Sequence, residues 1–434
     1  MLYYNLNKPS EKVDFRSATL QGLGTDKGLY FPEQIPVFSK DWISHIEDYT
    51  REEIAFSVIS PYVGDTIPEN ELKRIVAETI AFDIPLVQVT ENIAALELFH
   101  GPTLAFKDVG ARFMSRCLGY FMKGSSRPVT VLVATSGDTG GAVANGFYDV
   151  KGVRVVILYP SGKVSAVQEL QLTTPGKNIS ALEVSGSFDD CQRLVKQAFS
   201  DQELNDEIFL TSANSINVAR WLPQQIYYLL AWKQWKNKNR PPVISVPSGN
   251  FGNICAGLLA CQSGLPVTHF IAACNANSVV PDFLKTGEYK PLKVKPTLSN
   301  AMDVGDPSNF VRILELFDHQ FEPLKTVMSS ESISDEETTK TIREVKDEYQ
   351  YLTDPHGAVG FLALKHYLQD HPGNSGIFLE TAHPVKFYDV VEKVTGEKVP
   401  VPDSVKALLN KKKSALKMGT GYEDLKQYLL KVQY

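Results

Sequence analysis

Between residues 129 and 261 the chain repeats one pattern: a short apolar run, a glycine-containing loop, then a stretch with helical spacing. Residues 129–134 (VTVLVA) are β-branched and almost continuously apolar, which predicts a strand covered on both faces. Residues 153–159 and 243–246 have the same texture, and 270–273 and 376–379 read as further strands. After the glycine loops, residues 142–148 begin a helix and 254–261 form another. Such alternation predicts parallel sheets flanked by helices, an α/β fold. Before residue 90 the texture is charged and helical, with helices expected over 42–62 and 69–80. Residues 329–350 are acidic and polar, which predicts an exposed helix and its approach loop. No internal repeat or low-complexity tract interrupts the chain. The expected organisation is an N-terminal segment (1–90) followed by two lobes, 91–225 and 226–434.

Composition narrows the partners. The 434 residues are 43% hydrophobic and 22% charged, as in an ordinary globular protein, and exceed one typical domain. A formal charge of -6 leaves no basic footprint for nucleic acid. The basic runs at 411–413 and 233–240 are short and read as solvated faces. No stretch of eighteen uncharged apolar residues predicts a membrane span, and residues 1–8 lack the plan of a secretion signal. Five cysteines without paired zinc spacing read as reduced, buried thiols, and the expected location is the cytoplasm.

Candidate chemistry begins at Lys107, the only permanent cation in the stretch His100–Asp108. A lysine set against Phe106, Leu104 and Ala105 loses hydration, which favours its neutral, nucleophilic form. A neutral amine can form a Schiff base with an aldehyde cofactor. Two glycine-rich loops follow, at 135–141 (TSGDTGG) and 247–253 (PSGNFGN), each between a β-type run and a helical one. In the second, Gly249 and Gly252 are expected to let backbone N–H groups converge, with the positive end of the next helix behind them. No lysine-serine pair ends this loop, which disfavours a nucleotide P-loop. An amine with two anion cradles suits pyridoxal phosphate. Ser212, Asn214, Ser215, Asn217 and Arg220 form a further dense polar set, readable as a phosphate site or as a helix cap with Arg220 on the surface.

These motifs carry a resemblance. The opening at 22–32 (GLGTDKGLYFP), the lysine motif, both loops, 212–217 (SANSIN) with Arg220, Asp354-Pro355-His356 and 380–387 (ETAHPVKF) occur in family order. Together they resemble the threonine synthase family, microbial branch, within the second fold type of pyridoxal-phosphate enzymes. The resemblance implies that Lys107 carries the cofactor as a Schiff base and shuttles protons. It assigns the cofactor phosphate to Gly249, Asn250, Phe251, Gly252 and Asn253, and the ring nitrogen to Thr381. Ser136 and Thr139 would hold the substrate carboxylate. Asp138 stands where related dehydratases usually have asparagine, and is expected to face the ring side of the cofactor or its own backbone. Ser212, Asn214, Ser215, Asn217 and Arg220 would bind the substrate phosphate, with Lys163, Lys386 and Arg112 as rivals. His100, His356 and His383 receive no catalytic role, and no metal site is expected. The implied reaction turns O-phospho-L-homoserine and water into L-threonine and phosphate, without a protein partner or activation by S-adenosylmethionine. The alternatives are a β-eliminating serine/threonine dehydratase and a non-catalytic binder of phosphorylated ligands.

Overall fold

The computed structural model describes residues 1–431. Two largely parallel sheets form its frame. One has six strands, in the order Met328–Ser332, His269–Cys274, Val243–Pro247, Gly376–Glu380, Ile93–Glu97 and Leu86–Gln88, and only the last pair is antiparallel. The other has five, in the order Leu416–Met418, Ile179–Val184, Val153–Pro160, Val129–Ala134 and Phe209–Ser212, all parallel. Every residue of Val129–Ala134, Val153–Pro160, Val243–Pro247, His269–Cys274 and Gly376–Glu380 is buried. Helices cover these strands, and apolar runs without alternation are what two covered faces require.

Several sequence expectations need correction. The segment before residue 90 is not wholly helical, because Leu2–Asn5, Lys8–Asp14 and Tyr30–Pro32 form an antiparallel three-stranded sheet. The helix expected over 42–62 is broken into Lys40–Ser44, a 3₁₀ turn at Ile46–Asp48 and Arg51–Val63. His45 ends the first piece, and a Thr50–Glu53 capping box starts the last. The approach loop before helix Asp335–Tyr349 is the edge strand Met328–Ser332. That helix is also not fully exposed, since Thr338, Thr341, Ile342 and Val345 are buried.

The expected lobes are corrected as well. Ile93–Glu97 pairs in register with Gly376–Glu380, so it belongs to the sheet of the later lobe and not to a unit starting at 91. Leu416–Met418 pairs with Ile179–Val184, which returns the end of the chain to the earlier sheet. Helix Tyr422–Lys431 follows, burying Leu425 and Leu429 with Leu182, Val184 and Leu194. The chain therefore passes from the six-stranded sheet to the five-stranded one, back, and over again.

Strand ends position the site. Val129–Ala134, Phe209–Ser212, Val243–Pro247 and Gly376–Glu380 all run their carboxyl ends toward one cleft. Loops leaving the carboxyl ends of parallel strands are where α/β folds place ligands.

Candidate active site

The cleft has a volume of about 460 Å³ and is lined by Lys107, Ser136, Asp138, Thr139, Asn214, Ser215, Arg220, the whole of 247–253, and Thr381. The structure thus brings together most of the residues singled out by sequence. The segments 300–306 and 292–294, Ser308, His356 and the helix face carrying Phe188, Gln192 and Lys196 also line it.

Lys107 is the first residue of helix Lys107–Phe121. The loop before it is bridged to the strand end carrying Thr381: Phe106 N–H donates to Thr381 O at 2.9 Å and His383 N–H to Leu104 O at 3.0 Å. An Ala105–Ala382 bridge lies between these bonds. Backbone bonds therefore fix the lysine relative to the threonine across the cleft. Burial lowers the Lys107 ammonium below the usual lysine range, opposed by Asp138 and assisted by the positive charges of Lys386 and Arg220. Such a lysine holds a neutral amine more readily than one in water.

At 135–141, Thr135 Oγ1 accepts the N–H groups of Gly137 at 2.9 Å and Gly140 at 2.8 Å, folding the loop onto the strand end. Gly137 has φ 136°, and a Cβ there would lie 2.4 Å from the Gln168 amide carbon, so only glycine fits. Gln168 uses that closeness to donate to Asp138 Oδ1 at 2.9 Å. Asp138 also meets Lys386 Nζ at 2.7 Å, with both side chains buried. Burial would raise the Asp138 carboxyl, but the Lys386 and Lys107 ammonium groups, with Gln168, hold it well below the usual range. Of the two expectations for Asp138, the turn to its own backbone fails: the residue lines the cleft and its carboxylate meets a lysine and a glutamine side chain. Ser136 and Thr139 stay half-buried at the cleft surface, beside the start of helix Asp138–Gly146.

The loop at 247–253 turns at a residue other than its glycines. Neither Gly249 nor Gly252 has positive φ; the left-handed residue is Phe251, at φ 60°. Gly249 is needed for a different reason. A Cβ there would sit 2.6 Å from the Met302 Cα. Helix Gly252–Gln262 begins directly after Phe251, leaving first-turn N–H groups without intrahelical partners. Asn253 Oδ1 accepts the Tyr228 hydroxyl at 2.8 Å, while Asn253 Nδ2 is buried and meets no partner among the described residues. An orphaned amide donor beside a helix N-terminus suits a phosphate monoester, the anionic end of pyridoxal phosphate.

A second set of donors lies on the segment 214–220, joined to this loop through Ser215. Ser215 Oγ accepts Asn250 Nδ2 at 2.8 Å and Asn309 Nδ2 at 3.0 Å, which leaves its own proton to donate. Arg220 is 4% exposed, and burial lowers its guanidinium to about 10. One Arg220 amino group donates to the Ala213 carbonyl, while Nε is buried without a partner among the described residues. The reading of Arg220 as a surface residue fails. Asn214 lines the cleft and donates to Ala134 O at 3.1 Å.

Ser212 and Asn217 do not reach the cleft. Asn217 caps helix Val218–Trp221 and donates to Thr19 O and Ser212 O, which spends its amide on backbone. Ser212 Oγ bonds within its turn to Asn214. The rival cations are also placed elsewhere. Arg112 donates to Glu78 O, Lys163 is exposed away from the cleft, and Lys386 is committed to Asp138 and the Thr103 carbonyl.

Sequence reasoning missed three supports. Arg312, fully buried, donates to the carbonyls of Tyr30, Ser215 and Ile216 and lies 4.4 Å from the Trp221 ring centroid. Asn309, one helical turn earlier, bonds both Ser215 and Asn250. Their i,i+3 spacing was the only local signal, and the contacts depend on distant segments. His356, given no role from sequence, donates from Nδ1 to Asp354 at 2.6 Å and accepts Ala301 N–H at Nε2, 3.2 Å. It thereby pins the wall that lies against Gly249.

A family model described as pyridoxal-phosphate dependent enzyme matches residues 85–379. The chain is a pyridoxal-phosphate-dependent enzyme, consistent with the amine and donor set just described. Models described as threonine synthase N terminus and threonine synthase, C-terminal match residues 2–80 and 357–429. A threonine synthase from Serratia marcescens is 48% identical over 406 residues, 93% of each chain. The crystal structure of threonine synthase from Escherichia coli superposes with a TM-score of 0.93 at 43% identity, covering 100% of both chains. A pyridoxal-phosphate-bound threonine synthase from Brucella melitensis gives 0.91 at 34% identity, covering 99% of each. The chain belongs to the threonine synthase family.

Proposed function

We propose that the chain converts O-phospho-L-homoserine and water into L-threonine and inorganic phosphate. The observation that carries this reading is Arg220, a buried guanidinium that lines the same cleft as Lys107 but on a different segment from the Asn253 cradle. A site with two separate phosphate-type donor sets suits a phosphorylated substrate beside a phosphorylated cofactor. An unphosphorylated amino acid would leave a buried guanidinium donor unused, which is costly.

Pyridoxal phosphate, when bound, supplies the aldehyde and the electron-withdrawing ring that acidify the substrate's Cα and Cβ protons. Lys107 would hold the cofactor and, once released by the substrate amine, would move protons at Cα and Cβ as a general base and acid. Gly249, Asn250, Phe251, Gly252 and Asn253 form the cofactor-phosphate cradle. Thr381 offers a hydroxyl to the ring nitrogen without imposing a negative charge on it. Ser136 and Thr139, with the first N–H groups of helix Asp138–Gly146, receive the carboxylate. Asn214, Ser215 and Arg220 receive the phosphate, where negative charge grows as the Cγ–O bond breaks, so their bonds strengthen on the way to the transition state.

We place this activity in the cytoplasm. The five cysteines are free and four of them buried, and no helix among the described residues is long and apolar enough to cross a membrane. The deciding experiment is phosphate release from O-phosphohomoserine with threonine identified as the product. Release of 2-oxobutanoate and ammonia from threonine, without turnover of the phosphorylated substrate, would overturn the reading in favour of a dehydratase.

A further inference from the structure

Lys386 is ion-paired to an aspartate in the cleft that also holds Lys107. Asp138 lines the cleft together with Lys107. It is held from the other side by Lys386 Nζ at 2.7 Å and Gln168 Nε2 at 2.9 Å. Lys386 is fully buried, and its remaining bond goes to the Thr103 carbonyl at 2.9 Å, in the loop that leads into Lys107. A 3₁₀ turn at Pro384–Phe387, capped by His383, carries the lysine inward. A carboxylate that acts on a buried lysine in the same cleft favours that lysine's protonated form. Here a different cation already occupies the carboxylate.

We propose that Lys386 is a positioning residue that neutralises Asp138, and so leaves Lys107 free to act as an unprotonated amine. The proposal rests on the reading of Lys107 as the cofactor-holding amine, but not on the identity of the substrate. The charged groups acting on Lys107 are Asp138, Lys386 and Arg220. Asp108, next to it on its own helix, is turned back onto Thr103 N–H at 2.9 Å and the Thr103 hydroxyl. Arg112, one turn further along, is tied to Glu78 O. Tyr227 points its hydroxyl at the Phe106 carbonyl, and His383 and His356 bond to Val385 N–H and Asp354. None of these offers Asp138 a cation in place of Lys386. Removing Lys386 should therefore hand Asp138 to Lys107, and the amine should stay protonated to higher pH. Removing both charges should restore the balance.

The test is a titration of the full-length chain with pyridoxal phosphate across pH, following the cofactor's visible absorbance, beside the acid limb of the kcat profile of the loaded enzyme. Cofactor capture needs the neutral amine, so its affinity falls below the amine's midpoint. Lys386→Met should move that midpoint up by about one pH unit or more, as expected for a newly unpaired carboxylate beside an amine. Lys386→Arg should keep the wild-type midpoint, and Lys386→Met with Asp138→Asn should return to it. An unchanged midpoint in folded Lys386→Met, or equal shifts in the single and double variants, would overturn the proposal. Should Lys386→Met fail to fold, Asp138→Asn alone decides: its midpoint should lie below that of the wild type, and an unchanged midpoint refutes the idea. A normal cofactor titration with no turnover of O-phosphohomoserine would instead count against the proposed reaction alone.

Discussion

The Cα of Met302 lies so close to Gly249 that a Cβ added to the glycine would meet it at 2.6 Å. The Gly252 position is looser, with its nearest neighbours at 3.3 Å in the side chains of Asn309 and Ser215. Gly249→Ala should therefore displace the 300–302 turn or the loop itself, at about 1–3 kcal/mol for overpacking. Cofactor affinity, measured by absorbance titration, should drop more for Gly249→Ala than for Gly252→Ala. Equal affinities would mean that the wall at Met302 does not brace the cradle.

Lys107→Ala should abolish turnover and the visible absorbance of the bound cofactor, with the far-ultraviolet circular dichroism unchanged. The fold should tolerate the change because the lysine makes only a ring contact, 5.6 Å from the Phe106 centroid, and no ion pair. Residual activity at the wild-type level would remove Lys107 from the chemistry.

Arg220→Ala should lower kcat/KM for O-phosphohomoserine by about ten- to a hundred-fold, the scale of one or two hydrogen bonds to a charged group. Cofactor titration should be little affected, since Asn253 and the start of helix Gly252–Gln262 lie on a different segment. An equal loss with unphosphorylated serine in a side reaction would assign Arg220 to the fold.

Acid should weaken the fold through His383. Its Nδ1 accepts Val385 N–H at 3.0 Å, so a proton there would have to expel that bond. Burial lowers its pKa from 6.5 to about 4, with the nearby His100 adding to the effect. The unfolded chain then takes up a proton near pH 6.5 that the folded chain refuses until about pH 4. Stability should therefore fall with falling pH across this window, by at most about 1.4 kcal/mol per pH unit from this one group. Thermal unfolding between pH 7 and 5 should show a smaller decline for His383→Asn than for the wild type.

The strands buried on both faces were legible because their sequence is almost continuously apolar and β-branched, as in Val129–Ala134. The exposed strands were not. Lys8–Asp14 (KPSEKVD) and Met328–Ser332 (MSSES) are edge strands with mostly unburied side chains, and locally they read as loop. In the cleft, Lys107 and the two glycine loops could be found because their chemistry is written in contiguous residues. The partner of Asp138 could not, because Lys386 lies in another part of the sequence and reaches the carboxylate only through the fold. Asn217 looked like part of a phosphate site for the opposite reason: its neighbours in sequence are polar, but its side chain is turned to backbone.

The crossing of the chain between sheets has a consequence for the order of synthesis. Strands Val129–Ala134, Val153–Pro160, Ile179–Val184 and Phe209–Ser212 leave the ribosome long before Leu416–Met418, which pairs along Ile179–Val184 and bonds Ser185 N–H at 2.9 Å. Until then that strand keeps an open row of N–H and C=O groups, the usual template for unwanted pairing. Leu182, Val184 and Leu194 likewise wait for Leu425 and Leu429. The five-stranded sheet, whose first four strands are made by residue 212, is thus completed after the six-stranded one, and a nascent chain arrested before residue 416 would present a sticky edge to its neighbours on the polysome.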